Sequence, residues 1–123
     1  GTMYLQTHAV TNIAWNAATH AFYNANAESG LTFYNLNTLF GRVMTSKKSL
    51  ISNNPKKANH ASPNGVPDGH PPLRHFLGIP FFKKGGDIVG MVGIANKPGG
   101  YMEKEIKFLK PLTITCSNLI QAY

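Results

Sequence analysis

Apolar positions change their spacing several times along the chain, and each change marks an element. From Tyr4 to Trp15 they alternate, with Leu5, Ala9, Ile13 and Trp15 on one side and Gln6, His8 and Asn12 on the other. A half-buried strand has this period of two. Ala18, Ala21, Phe22 and Ala25 then recur at helical spacing, predicting a short helix within 17–27 that Gly30 ends. Leu36, Leu39, Phe40, Val43 and Met44 follow the i, i+3, i+4, i+7, i+8 rule, with Asn35 at the expected N-cap. One apolar stripe on a helix covers something flat, most simply a sheet. A short strand, Ser49 to Ser52, follows.

From Asn53 to Pro72 proline, asparagine and glycine dominate, and only Val66 is a large aliphatic. A loop this long is uncommon in a compact domain and tends to carry function. Two strands are expected next, Phe76 to Phe82 and Ile88 to Asn96, joined by Lys83-Lys84-Gly85-Gly86-Asp87 as a hairpin. IVGMVGIA is apolar on both faces, which predicts a central strand covered on both sides. Gly90 and Gly93 would lie on opposite faces of it and allow close approach. In FLGIP, Phe76, Gly78 and Pro80 alternate with Leu77 and Ile79, offering one face to the core and the other to a cavity. Pro80 then belongs at an edge, a bulge or a strand end. After Pro98-Gly99-Gly100, a last helix is expected with Ile106, Leu109, Leu112, Cys116, Leu119, Ile120 and Tyr123 as its apolar stripe. Pro111 should kink or split it, because it lacks a donor and crowds the Lys107 carbonyl. Strand, helices, strand, long loop, hairpin and helix predict an α+β fold, an antiparallel β-sheet with helices on its faces.

Length and composition narrow this further. The 123 residues fit one domain, 42% hydrophobic and 14% charged, a globular balance. Gly1-Thr2-Met3 reads as a cloning remnant, leaving 4–123 as a single domain cut from a longer protein. No apolar run is long enough to cross a bilayer, and no membrane contact is expected. The single Cys116 excludes an internal disulfide and fits a reducing, cytoplasmic setting. The net charge of +7 comes from scattered lysine pairs beside turn residues, without interleaved aromatics. That pattern is a solvated surface rather than a nucleic-acid face.

GHPPLRHFLGIPF, IVGMVGIANKPGGY, FLKPL and CSNLI, with LQTHAVTNIAW and NLNTLFGRVMTSKKSLISNNP before them, resemble GAF domains of sensor histidine kinases and related multidomain receptors. The resemblance covers almost the whole chain from about Tyr4. It implies the GAF/PAS-like sheet flanked by helices on both faces, with the family's N-terminal helix missing here. Ligands of such domains usually lie between the sheet and the segment before the Phe76 strand. The resemblance therefore makes 53–75 a lid, with Asn53, Asp68, His70, His75 and Phe76 as ligand-binding candidates. ANKPGGYMEKE also resembles, in part, the NK…F…DE signature of phosphodiesterase GAF domains. Asn96 and Lys97 match its opening, Tyr101 replaces the phenylalanine, and Ile106 occupies one acidic position. A structural Lys97–Glu105 tie from strand end to helix start is favoured there over a nucleotide role.

Catalysis finds little support, so the domain itself is not expected to be an enzyme. The five acidic residues include no general acid–base couple on one element, and no GxSxG elbow occurs. Free methionine-sulfoxide reduction by such domains needs several cysteines. Covalent bilin attachment needs one near the lid, and none precedes Cys116. His60, Asp68, His70 and His75 match no metal-ligand spacing, so no metal and no cofactor is expected. The expectation is a cytoplasmic small-molecule-sensing or signal-relaying domain of a sensor histidine kinase, homodimeric in the full-length protein, with an unidentified ligand. Its rivals are a ligand-free structural dimerisation module and a cyclic-nucleotide-binding domain of a cyclase or phosphodiesterase.

Overall fold

The computed structural model describes residues 3–8, 21, 24–25, 30, 32–34, 36–55 and 73–122. In chain order these form β1 (Leu5–Gln6), β2 (Thr32–Phe33), α1 (Leu39–Ser46), β3 (Leu50–Ser52), β4 (Phe76–Phe82), β5 (Ile88–Ala95), α2 (Glu103–Phe108) and α3 (Lys110–Gln121). Strands β1 and β2 pair antiparallel with each other. The remaining strands make an antiparallel sheet in the order β3-β4-β5. Most of the expected 4–15 strand and 17–27 helix lies outside the described residues, although Ala21, Asn24 and Ala25 are helical.

Helix α1 starts one turn later than the apolar spacing suggests. Its N-cap is Thr38, not Asn35: Thr38 is extended, and its Oγ1 accepts the Gly41 N–H at 3.1 Å. A hydroxyl there satisfies one of the donors that every helix start leaves free. Lys47 closes the helix in a left-handed conformation, its N–H donating to Val43 O. Leu39 and Val43 are fully buried and join Leu73 and Phe76 in one core cluster, with Phe40, Leu50 and Met91 at its margin. Gly78 lets the helix come this close, since a Cβ on it would sit 2.5 Å from Val43 Cγ2.

The other face of the sheet carries α2 and α3. Leu77, Ile79 and Tyr101 form its core cluster, with Ile51, Ile94, Ile106 and Leu109 packed around them. Register explains the division. Leu50 pairs with Gly78 and Ile51 with Leu77, so alternate residues of β3 and β4 serve opposite faces. Helices therefore cover both faces, as expected.

Two assignments within the sheet reverse. Strand β4, not β5, is the central one among the described residues. Phe76 through Phe81 are all buried, so neither face of β4 is given over to a cavity along its length, and only its far end, from Pro80 to Phe82, borders a groove. The β5 residues are half-buried or exposed, and β4 is their strand neighbour among the described residues. Both strands are apolar on two faces, and that pattern alone carries no information about order in a sheet. Gly90 and Gly93 do fall on opposite faces, opposite Phe81 and Gly78. Pro80 lies beyond the reach of β3, which pairs only with Phe76–Gly78, so its missing N–H deprives no neighbouring strand on that side.

The terminal helix splits at Pro111, which takes a first-turn position of α3 where no donor is required. Leu109 joins the two helices at φ −88°, ψ 0°. The split also moves the buried line. Thr113 and Ser117 are buried, whereas Leu112 and Leu119 from the expected stripe are exposed. A period counted through 106–123 as one helix loses phase at the break.

Candidate functional site

The chemistry-bearing residues collect at one end of the three-stranded sheet. Ser52 pairs with Phe76 and Phe76 with Ala95, so the next residues outward, Asn53, His75 and Asn96, end three adjacent strands. Asn96 leaves β5 with φ 63°, a left-handed conformation that asparagine tolerates better than most residues. Its Oδ1 accepts the Arg74 N–H at 2.7 Å and the His75 N–H at 3.3 Å, while its own N–H donates to His75 O at 2.8 Å. One side chain thereby holds the entry of β4 against the exit of β5.

A tight turn follows. Gly100 N–H donates to Lys97 O at 2.9 Å, with Pro98 and Gly99 between them and Gly99 at φ 82°. Proline followed by a positive-φ glycine is the chemistry of a type II turn. Gly100 also has positive φ, 86°, and a Cβ on it would sit 2.6 Å from Asn53 Oδ1. That proximity is used: Asn53 Oδ1 accepts the Tyr101 N–H at 2.9 Å, and Asn53 Nδ2 donates to Tyr101 O at 3.1 Å. The amide pairs with the Tyr101 backbone much as a strand would.

Beyond the turn the contacts run into α2. Lys97 Nζ lies 3.2 Å from Glu105 Oε1 and donates to Gly100 O at 3.3 Å. Glu105 Oε2 accepts the Met102 N–H at 2.8 Å, half of a capping box at a helix start that favours negative charge. Burial pushes the Glu105 carboxyl up, but the Met102 N–H and the Lys97 ammonium outweigh it and hold it below its ordinary value of 4.5. The Tyr101 ring is buried, and its Oη accepts the Lys97 N–H at 3.3 Å. Burial raises the Tyr101 hydroxyl above 10.0, although the Lys97 N–H bond and ammonium oppose this.

Against this geometry the ligand-binding candidates separate. Asn53 has its amide engaged by Tyr101, which is a structural duty. Phe76 is 1% exposed and meets Phe40 edge-on at 5.1 Å, so it is core rather than pocket lining. Asp68 and His70 lie outside the described residues. His75 is different, because its Nδ1 is buried and has no hydrogen-bond partner among the described residues. Such orphans are few in folded proteins and each calls for an explanation. Among the described residues no cluster of metal-ligating side chains occurs, and no helix is long and apolar enough to cross a membrane.

A family model described as GAF domain matches residues 1–121, nearly the full chain. The chain belongs to the GAF domain family. No curated protein and no solved structure matches it. Membership makes the chain a module of the signalling and sensing type, and the α+β sheet with helices on both faces agrees with it.

In this GAF domain, sequence reasoning missed Asn96 as the double acceptor at the strand ends and Tyr101 as a buried anchor. The signal for Asn96 was an asparagine ending a strand just before Pro-Gly-Gly, a place where the chain must turn. For Tyr101 it was a lone aromatic between a turn and a helix start, which needs somewhere to bury its ring.

Proposed function

We propose that this GAF domain is a non-catalytic regulatory module that senses a small molecule or relays a signal. Its setting would be the cytoplasmic part of a multidomain sensor histidine kinase. The supporting observation is the buried, unpartnered Nδ1 of His75 at the end of the sheet. A ligand that hydrogen-bonds this nitrogen recovers the cost of leaving it unmade, about 1–3 kcal/mol. From His75 the contacts continue through Asn96 to the Lys97 turn and into Glu105 on α2. A shift at the strand ends would therefore bias the seating of the terminal helices, where an output domain would attach. Lys97 and Glu105 satisfy each other, which favours their structural use over contact with a cyclic nucleotide.

The test is a thermal-shift and calorimetric screen against nucleotides and metabolites, repeated with His75→Phe. The expected result is a ligand that His75→Phe weakens about fivefold or more. A screen without any ligand, or a ligand indifferent to His75→Phe, contradicts the reading.

A structural dimerisation module is the second reading, and one observation favours it. Phe108, Leu112 and Leu119 are 83%, 44% and 58% exposed on the terminal helices. Apolar side chains this exposed on helices suit a partner helix from a second copy. Sedimentation at rising concentration tests this: the wild type should associate, and Leu119→Lys should remain monomeric.

A further inference from the structure

A second site lies on the α3 face, at the opposite end of β4 from His75. Where β4 runs past the end of β3, a groove of about 280 Å³ opens between Pro80–Phe82 and α3, with Lys110, Thr113, Ile114 and Ser117 on the helix side. This volume falls just short of the roughly 300–1,000 Å³ of drug-sized ligand pockets, which limits an occupant to a compact molecule.

The polar groups of the groove are nearly all used internally. Ser117 Oγ donates to Phe82 O at 2.7 Å and accepts from Gln121 Nε2 at 2.9 Å. Thr113 Oγ1 donates to Lys110 O at 2.9 Å. These bonds also bar a peptide from adding to the β4 edge, since Pro80 has no N–H to offer and the Phe82 carbonyl is already engaged. What remains is apolar wall plus one cation. Among the described residues Lys110 has no ion-pair partner and no carboxylate lines the groove.

From this we infer that the groove is a binding site for a small amphipathic monocarboxylate, a compact aromatic or branched acid with its carboxylate on Lys110 and its body against Phe81, Phe82 and Ile114. The complementarity is specific in one respect: a single anionic head is answered, and no further hydrogen-bonding group on the ligand is. A bound acid would brace α3 against β4, independently of the His75 site.

The probe is 3-phenylpropanoate, with 3-phenylpropanamide as its uncharged counterpart, titrated while amide shifts are recorded by ¹H–¹⁵N NMR. The expected result is saturable shifts at Phe82, Thr113 and Ser117, with the acid binding about two- to fivefold more tightly than the amide, the range of an exposed ion pair. Lys110→Gln should abolish that preference and leave the amide unchanged. Ile114→Glu, on an exposed position, should weaken the acid more than the amide. Absence of saturable shifts at the groove, shifts confined to other residues, or equal acid and amide binding in the wild type would each overturn the proposal.

Discussion

The two faces of the three-stranded sheet are covered by helices of very different kinds. Helix α1 is eight residues long and buries Leu39, Gly41, Val43 and Met44. Helix α3 is twelve residues long and buries only Thr113 and Ser117. On the first face a methyl of Val43 settles over Gly78, and Phe40 meets Phe76 edge to face, so contact is close and apolar. On the second, the Ser117 hydroxyl meets the Phe82 carbonyl, a groove stays open beside Phe82, and Phe108, Leu112 and Leu119 face outward. Dispersion and transfer energy hold α1, and they fall steeply with any displacement. Among the described residues one side-chain bond, Ser117 Oγ to Phe82 O, ties α3 to the sheet, and a bond of that kind contributes only about 0.5–1.5 kcal/mol net. This contrast predicts a fixed α1 face and a more readily displaced α3 face.

The largest effect should come from the α1 face. Leu39→Ala leaves a cavity under a fully buried side chain and should cost about 2–5 kcal/mol in denaturant unfolding. Gly78→Ala should cost about 1–3 kcal/mol by forcing Val43 and Met91 outward. On the other face, Gly100→Ala combines positive φ with a clash against Asn53, and we expect a loss of about 1–3 kcal/mol in the same assay. Ser117→Ala should cost less, about 0.5–1.5 kcal/mol, and should speed amide exchange in α3 before it affects α1. If Ser117→Ala proved as damaging as Leu39→Ala, the contrast between the faces would fail.

Titration sharpens the comparison without altering packing. Glu105 is held below its ordinary value in the folded state. Its stabilisation is therefore full above the unfolded value near 4.5 and is lost as pH falls through the depressed folded value. Tyr101 has the opposite sign: raised above 10.0 in the folded state, it contributes fully below pH 10 and loses that contribution as the unfolded chain ionises above it. Glu105→Gln should flatten the acid limb of the stability profile and soften the alkaline limb only slightly, because the Glu105 charge is the smallest of the causes acting on Tyr101. The smallest effect belongs to the outward residues. Leu119→Gln should change monomer stability by no more than about 0.5 kcal/mol.

Much of this division was legible in the residues, for identifiable reasons. Helical spacing from Leu39 to Met44 carries the α1 face, and Lys83–Asp87 with its two glycines carries the hairpin. The resemblance in the second half of the chain carries the family. Asn35 as a cap failed because Thr38 offers a hydroxyl one turn later, and spacing shows which side of a helix is buried better than where the helix begins. The α3 stripe failed because Pro111 starts a new helix and resets its phase. The exchange of roles between β4 and β5 followed from two strands with the same two-sided apolar pattern. At the site, Asn53 and Phe76 were singled out by their place beside the long loop, but an amide and a ring at such a place serve the fold as readily as a ligand. Only the unpaired nitrogen of His75 separates the two uses, and hydrogen-bond satisfaction is a property of the folded chain.

Native-state hydrogen exchange, read residue by residue, tests the contrast between the faces most directly. Amides of α1 and β4 should exchange only through global unfolding. Amides of α3 from Ile114 to Ile120 should open locally and exchange at least about tenfold faster. Equal protection in α1 and α3 would contradict the division of the sheet into a fixed face and a movable one.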